Sequence, residues 1–310
     1  MARARISASG LPEADFAILS AISPSSMRLL QKDYGTLLYL WKNRACKFVP
    51  RPYFICSRKI GLESSFLDIT ISGMEWLKGY FEWHFSPIAP EKGFGIMTWQ
   101  PGNGIVPLPE GFLEERLFEL ASTVLAYYFD PLGLRQICLF SNAAGDFVAS
   151  LDRQGHLCVK LTTVRQYKNI MGADSGFHKM EGLLHALLYL FLDLVLNMRL
   201  DRLCGTGPYF FADARFIRPI IRGFFFGLYA LGKESTVPLP LKELFYLIQG
   251  FTADELLSLY EPLMHLYREW KRADVKFLEK NIQRHCWELS NVLESTPFPS
   301  ASVSSTGLAA

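Results

Sequence analysis

The stretch EGLLHALLYLFLDLVLNMRLD, residues 181–201, decides how this chain is read. It is either a membrane span or the innermost helix of a globular core. Its most apolar part, residues 183–198, carries His185 and Asp193. A span needs about 20 apolar residues, and an aspartate at its centre costs about 2.5–3.5 kcal/mol. A buried core helix explains the same letters without that cost, so no transmembrane span is expected.

The polar residues of this stretch form a pattern. Glu181, His185, Tyr189, Asp193, Asn197 and Asp201 recur at every fourth position. A helix stacks such residues in a stripe that drifts by about 40° per step. Leu, Val, Phe and Met fill most of the remaining surface, and a helix that is apolar nearly all round is buried. An unpaired buried polar group costs about 1–3 kcal/mol. The stripe is therefore expected to be an internal hydrogen-bond ladder. The competing reading is the wall of a polar cleft, with Glu181, His185 and Asp193 as acid–base candidates. His178, Glu181 and His185 also share one helix face and are the candidate metal ligands. Three ligands from one helix seldom close around an ion, and no metalloprotease spacing is present. No metal and no cofactor are expected.

Just beyond lies a basic cluster: Arg199, Arg202, Arg215, Arg218 and Arg222, with a Gly-Thr-Gly-Pro loop at 205–208. Guanidinium forks suit carboxylates and phosphates, so these five are the candidate anion- or partner-binding residues. The alternative is pairing with Asp201, Asp213 and the acidic stretch 61–130. The loop lacks the Walker lysine and its spacing. A third, weaker cluster is Asp68, Glu82 and His84, read as the solvated faces of strands.

Upstream, the period of the apolar residues falls from that of a helix towards two. Residues 12–21 and 24–43 read as helices, the second capped by Ser23 with Pro24 at its first position. From 46 to 99 alternation dominates, with strands expected at 66–71, 80–85 and 94–99. Residues 109–129 read as a helix. Runs at 136–140, 147–151 and 157–161, joined by turn residues, predict an antiparallel meander. Downstream, helices are expected at about 175–203, 213–231, from Pro240, from the Thr252–Glu255 capping box, and at 273–294. The fold class is α+β, an antiparallel sheet or meander region at about 45–170 packed with helices, then an all-helical C-terminal region. The expected division is N-terminal helices at 1–44, the sheet-containing region at 45–172, the helical region at 173–295 and a flexible tail at 296–310.

Composition narrows the function. Among 310 residues, half are hydrophobic, 24 are Phe, and the formal net charge is only +2. That balance argues against general nucleic-acid binding, which favours strongly basic surfaces. The charge is uneven. Residues 1–60 hold ten Lys/Arg against three acids, and residues 61–130 hold ten acids against three Lys/Arg. The two stretches are expected to attract each other within the fold. The six cysteines form no CxxC pair, which suits reduced thiols and a cytoplasmic location. Cys158, between His156 and Lys160, is the thiol to test for reactivity. No nucleophile elbow, HExxH or calcium loop occurs. The expected function is a non-catalytic macromolecule-binding protein with a protein partner, an adaptor or a subunit of an assembly. The alternatives are an enzyme acting on an anionic small substrate between the meander and the helix 175–203, and a peripheral membrane protein.

Overall fold

The computed structural model describes residues 2–6, 14–62, 65–89, 93–100, 104–109, 111–140, 146–170, 179–270 and 272–299. The chain begins with strands β1 (Ala2–Ile6) and β2 (Ala14–Ala21), followed by helix α1 (Pro24–Asn43), then strands β3 (Pro52–Leu62) and β4 (Ser65–Glu75). The four strands form one antiparallel sheet in the order β1-β2-β4-β3. This corrects the helical reading of residues 12–21. Eight apolar-rich residues fit either period, and pairing with β4 settles them as a strand. Helix α1 starts as expected, with a reciprocal capping box between Ser23 and Ser26.

The four-stranded sheet is inverted. Cross-strand partners in register share a face. One face carries Ala17, Ala21, Thr70, Ser72 and Met74, all buried. Helix α1 packs over this sheet through Leu30, Leu37 and Leu40. The opposite face carries Phe16 and Ile18 of β2, Leu67, Ile69 and Ile71 of β4, and Phe54, Cys56 and Ile60 of β3. None of these eight belongs to the buried core cluster.

A second sheet is built by β5 (Glu82–Ala89), β6 (Gly93–Gln100) and β7 (Gly104–Pro107), paired in sequence order. Strand β5 is covered on both sides: Trp83 and Phe85 are buried, and so are His84 and Ser86. His84 is therefore no part of a solvated face, whereas Asp68 and Glu82 are exposed. Helix α2 (Phe112–Tyr127) follows, then β8 (Gln136–Cys138), β9 (Phe147–Leu151), β10 (Leu157–Leu161) and β11 (Gln166–Lys168). Strands β9 and β10 form the expected hairpin. Strand β8 pairs instead with β11, which alternation had not marked, so the three runs do not make one meander. Three residues are too few to carry a periodic signal.

The C-terminal region is helical: α3 (Lys179–Met198), α4 (Ile217–Gly232), α5 (Leu241–Gln249), α6 (Ala253–Glu269) and α7 (Val275–Glu294). A short hairpin of Leu200–Arg202 with Tyr209–Phe211 separates α3 from α4. Asp201 thus leaves the helix and is not the last rung of the stripe. Helix α3 is long and apolar enough to cross a membrane by length and composition, but 78% of that window is enclosed by the rest of the protein. Residues 296–299 do not hang free as a tail. Phe298 packs among Phe225, Tyr229, Phe245 and Tyr246, and Thr296 is buried. Residues 300–310 lie outside the described residues.

The core runs as one cluster from Ala17 to Leu293. Its tightest seam is the crossing of α2 and α4. A Cβ on Gly223 would run into the Glu119 carbonyl, and one on Gly227 into the Thr123 carbonyl. Two glycines one turn apart let the backbones meet there. Phe118 stacks on Phe216 beside it, with ring centroids 4.3 Å apart.

Gly223→Ala should lower unfolding stability in urea by about 1–3 kcal/mol, because backbone rather than a side-chain tip must yield. Gly35→Ala in α1, where an added Cβ meets nothing, should raise it by about 0.5–1 kcal/mol. Equal midpoints for Gly223→Ala and the wild type would refute the close crossing.

Candidate functional site

The polar stripe of α3 ends in a closed network. Glu181 is exposed, while His185 and Tyr189 are half-buried. Asp193 and Asn197 are buried. Asp193 accepts from the Tyr267 hydroxyl, from Gln136 Nε2 at 3.2 Å and from Asn197 Nδ2 at 2.9 Å. Asn197 in turn accepts from Arg272 at 2.8 Å, and Arg272 is held by Asp274 at 2.6 Å. Burial pushes the Asp193 carboxyl up from its ordinary range, against the pull of these donors. The acid–base candidates are thus spread along the helix from solvent to core rather than gathered at one opening. Of the metal candidates, His178 lies outside the described residues. Among those residues no group of three His, Cys, Asp or Glu side chains is placed to hold an ion.

The five arginines diverge. Arg199 is wholly buried. It donates to the Ala212 carbonyl from Nε and Nη2, to His285 Nδ1 at 2.9 Å and to Glu288 at 2.5 Å. Its plane lies over Phe211, 4.3 Å from the ring centroid. A guanidinium so enclosed meets no external anion, and this corrects its nomination as a binding residue. Arg202 caps the Gly207 carbonyl. Arg215 pairs with the buried Glu114 at 2.7 Å, Arg218 meets the Ser295 hydroxyl, and Arg222 pairs with Glu119 at 3.1 Å. Two acids of the stretch 61–130 therefore find Arg215, in the turn before α4, and Arg222 on α4. The N-terminal Arg3 and Arg5 pair locally with Asp15. Between the two charged stretches, Lys59 of β3 stands in register with Asp68 of β4.

His285 was not singled out by the sequence reading, although it sits on the apolar seam of α7 between Ile282 and Leu289. Its hydrogen bonds have one direction. Arg199 can only donate, so Nδ1 accepts and Nε2 carries the proton. Nε2 donates to the Tyr260 hydroxyl at 2.9 Å, and that hydroxyl donates to the Leu192 carbonyl at 3.0 Å. Burial, reinforced by the Arg199 charge, holds the imidazole well below its usual range, so it stays neutral.

A His–carboxylate pair was also missed. His84 Nδ1 lies 3.5 Å from Asp201, which accepts the Phe85 amide at 2.9 Å. Gly205, at φ +76°, lies over this imidazole; a Cβ there would come within 2.9 Å of Nε2. Gly205 of the loop at 205–208 thus seals a histidine. Burial raises the Cys158 thiol pKa, the opposite of what an activated nucleophile requires.

Several features among the described residues are open to an outside group, including hollows of about 250 and 660 Å³ along α6; two lie on the sheets. The first is the outer face of the four-stranded sheet, with Phe54 38%, Ile60 43% and Tyr53 44% exposed. On the opposite, α1-covered side of the sheet lies a groove of about 430 Å³, lined by Arg28, Arg58, Lys59 and Asp68 among others. The second is a cavity of about 340 Å³ where the four-stranded sheet meets β5, β6 and β9. No known protein family model matches the chain, and neither does any curated protein or solved structure.

The histidine network makes stability depend on pH. On unfolding, His285 regains a pKa near 6.5 and takes up a proton that the folded state refuses. Its contribution is therefore complete above about pH 6.5 and lost as the pH falls, by up to about 1.4 kcal/mol per unit. Denaturant titrations from pH 7.5 to 5 should show this slope in the wild type and a shallower one in His285→Gln. Parallel slopes would remove His285 as the cause.

Proposed function

We propose that this chain is a non-catalytic binding protein that docks a protein partner on the outer face of its four-stranded sheet. The observation that carries the reading is the inversion of that sheet. Its small and polar residues, Ala17, Thr70 and Ser72, are buried, while Ile18, Ile69, Ile71 and Phe54 face outward and stay outside the core. A contiguous apolar surface of this kind marks an interaction site more often than chance exposure does. Leu67, Ile69 and Ile71 alternate cleanly, and a face kept apolar along the whole strand serves burial against something.

The partner is defined by charge. Arg58 lies on the apolar face itself, in register with Ile69. Arg28 and Lys59 lie in the groove on the α1 side, where Lys59 stands in register with Asp68, so Arg58 is the cation this face itself presents. The complementary segment is an amphipathic element with an apolar stripe flanked by carboxylates. The apolar stripe supplies affinity, and the carboxylates supply steering and orientation. This is the role of an adaptor or a subunit, and it calls for no cofactor.

The test uses two designed amphipathic peptides with the same leucine stripe, one flanked by Glu and one by Lys. The Glu peptide should bind with an affinity that falls as salt rises, and the Lys peptide at least about tenfold more weakly. Ile69→Thr/Ile71→Thr should abolish binding while leaving the melting temperature within a few degrees, as surface changes do. Equal binding of the two peptides, or binding unaffected by the double substitution, would overturn the proposal. So would concentration-dependent dimerisation through this face in sedimentation, since a second copy would then be its occupant.

A further inference from the structure

The cavity between the sheets has a lining that the docking surface does not use. Trp76, Tyr80, Phe81 and Trp99 supply aromatic rings, and Glu75 and Glu82 supply carboxylates. Strand pairing explains the arrangement. Glu82 of β5 stands directly opposite Trp99 of β6, so carboxylate and indole project from one face. Glu75 ends β4, and the chain then turns through Trp76 to Tyr80. Trp76, Tyr80 and Trp99 are half-buried, so part of each ring is open.

The charges around the cavity are mostly committed. Arg3 lies 5.4 Å from the Trp76 ring centroid but is paired with Asp15. Lys160 approaches Tyr80 at 5.8 Å. Glu75 accepts the Arg51 amide at 3.1 Å through one carboxylate oxygen. Glu82 makes no ion pair or side-chain hydrogen bond among the described residues. Two of the protein's own cations already sit over these rings, which is the behaviour expected of an electron-rich aromatic surface.

We infer that this cavity binds a small organic cation with an apolar body, of the quaternary ammonium or substituted guanidinium class. Three features select it. The rings attract positive charge through their quadrupole and cover methyl groups at the same time. The carboxylates repel anions and give a neutral ligand nothing extra. A bare ammonium is strongly hydrated and loses more on entering an aromatic pocket than an alkylated one does. The volume of about 340 Å³ lies within the range of small-ligand sites. The source is either a free small cation or a methylated lysine side chain on a peptide.

Choline and its neutral isostere 3,3-dimethylbutan-1-ol separate charge from shape, with tryptophan emission and calorimetry as readouts. Choline should bind saturably, and the alcohol at least about tenfold more weakly. Glu82→Gln should weaken choline by about threefold or more and leave the alcohol unchanged. Trp99→Leu should weaken both, and circular dichroism checks that each variant is folded. A trimethyl-lysine peptide that outcompetes choline assigns the site to a protein side chain; the reverse order assigns it to a free metabolite. Equal binding of choline and the alcohol, no binding of either at millimolar concentration, or an unaltered Glu82→Gln would overturn the inference. None of these readouts depends on the apolar sheet face, so the two proposals fail separately.

Discussion

A guanidinium with no exposed surface sits at the centre of the helical region. Arg199 cannot shed its charge and cannot reach water, so its donors must be met from inside. Ala212, His285 and Glu288 meet them, and Phe211 covers the plane. These partners come from the hairpin strand Tyr209–Phe211 with its next residue, and from α7. Through His285 and Tyr260 the chain of bonds returns to the Leu192 carbonyl on α3. One side chain thereby fixes where α3 ends and how α6 and α7 lie against it. A hydrophobic residue of similar volume could fill the space but would not dictate this one arrangement. Polar burial here contributes position more than net stability.

The same accounting separates scaffold from surface. Asp193, Asn197, Tyr267 and Arg272 satisfy one another, and Glu114 takes Arg215. Groups that looked reactive in isolation are saturated in place. Two open features stand out in the N-terminal half: an apolar sheet face that carries Arg58, and an aromatic cavity with an unengaged carboxylate.

Much of the architecture was legible. Capping at Ser23 and Thr252, the break at Pro240 and the turn around Gly155 each rest on local chemistry, and each stands where the letters put it. The core character of α3 was also legible, because a central aspartate opposed a membrane reading, and most of the helix is enclosed. What escaped depends on partners distant in sequence. Residues 14–21 satisfy two periods, and only β4 decides between them. Strands β8 and β11 are three residues each and carry no period of their own. The burial of Arg199 could not be read from a cluster of arginines, because its acceptors lie 13 to 89 residues away. His285 did leave a trace: a histidine at a seam position implies a buried partner.

The alternation of β4 was seen correctly, but the side facing the core was not. Leu67, Ile69 and Ile71 read as the inward set, since apolar residues usually are. The structure instead turns Thr70 and Ser72 under α1, where the Thr70 hydroxyl pairs with that of Ser57 at 2.8 Å. Slipping β4 by one residue against β2 would exchange the faces and bury more apolar surface. On the helix side Ala17 and Ala21 leave room for α1, and isoleucines there would push it away. The outward isoleucines are then a surface with its own requirement. The cavity touches β2 and β4 through Ala17, Met74 and the terminal Glu75, while the docking face uses Ile18 and Ile71. The two surfaces share strands but not side chains, so each can be altered without disturbing the other.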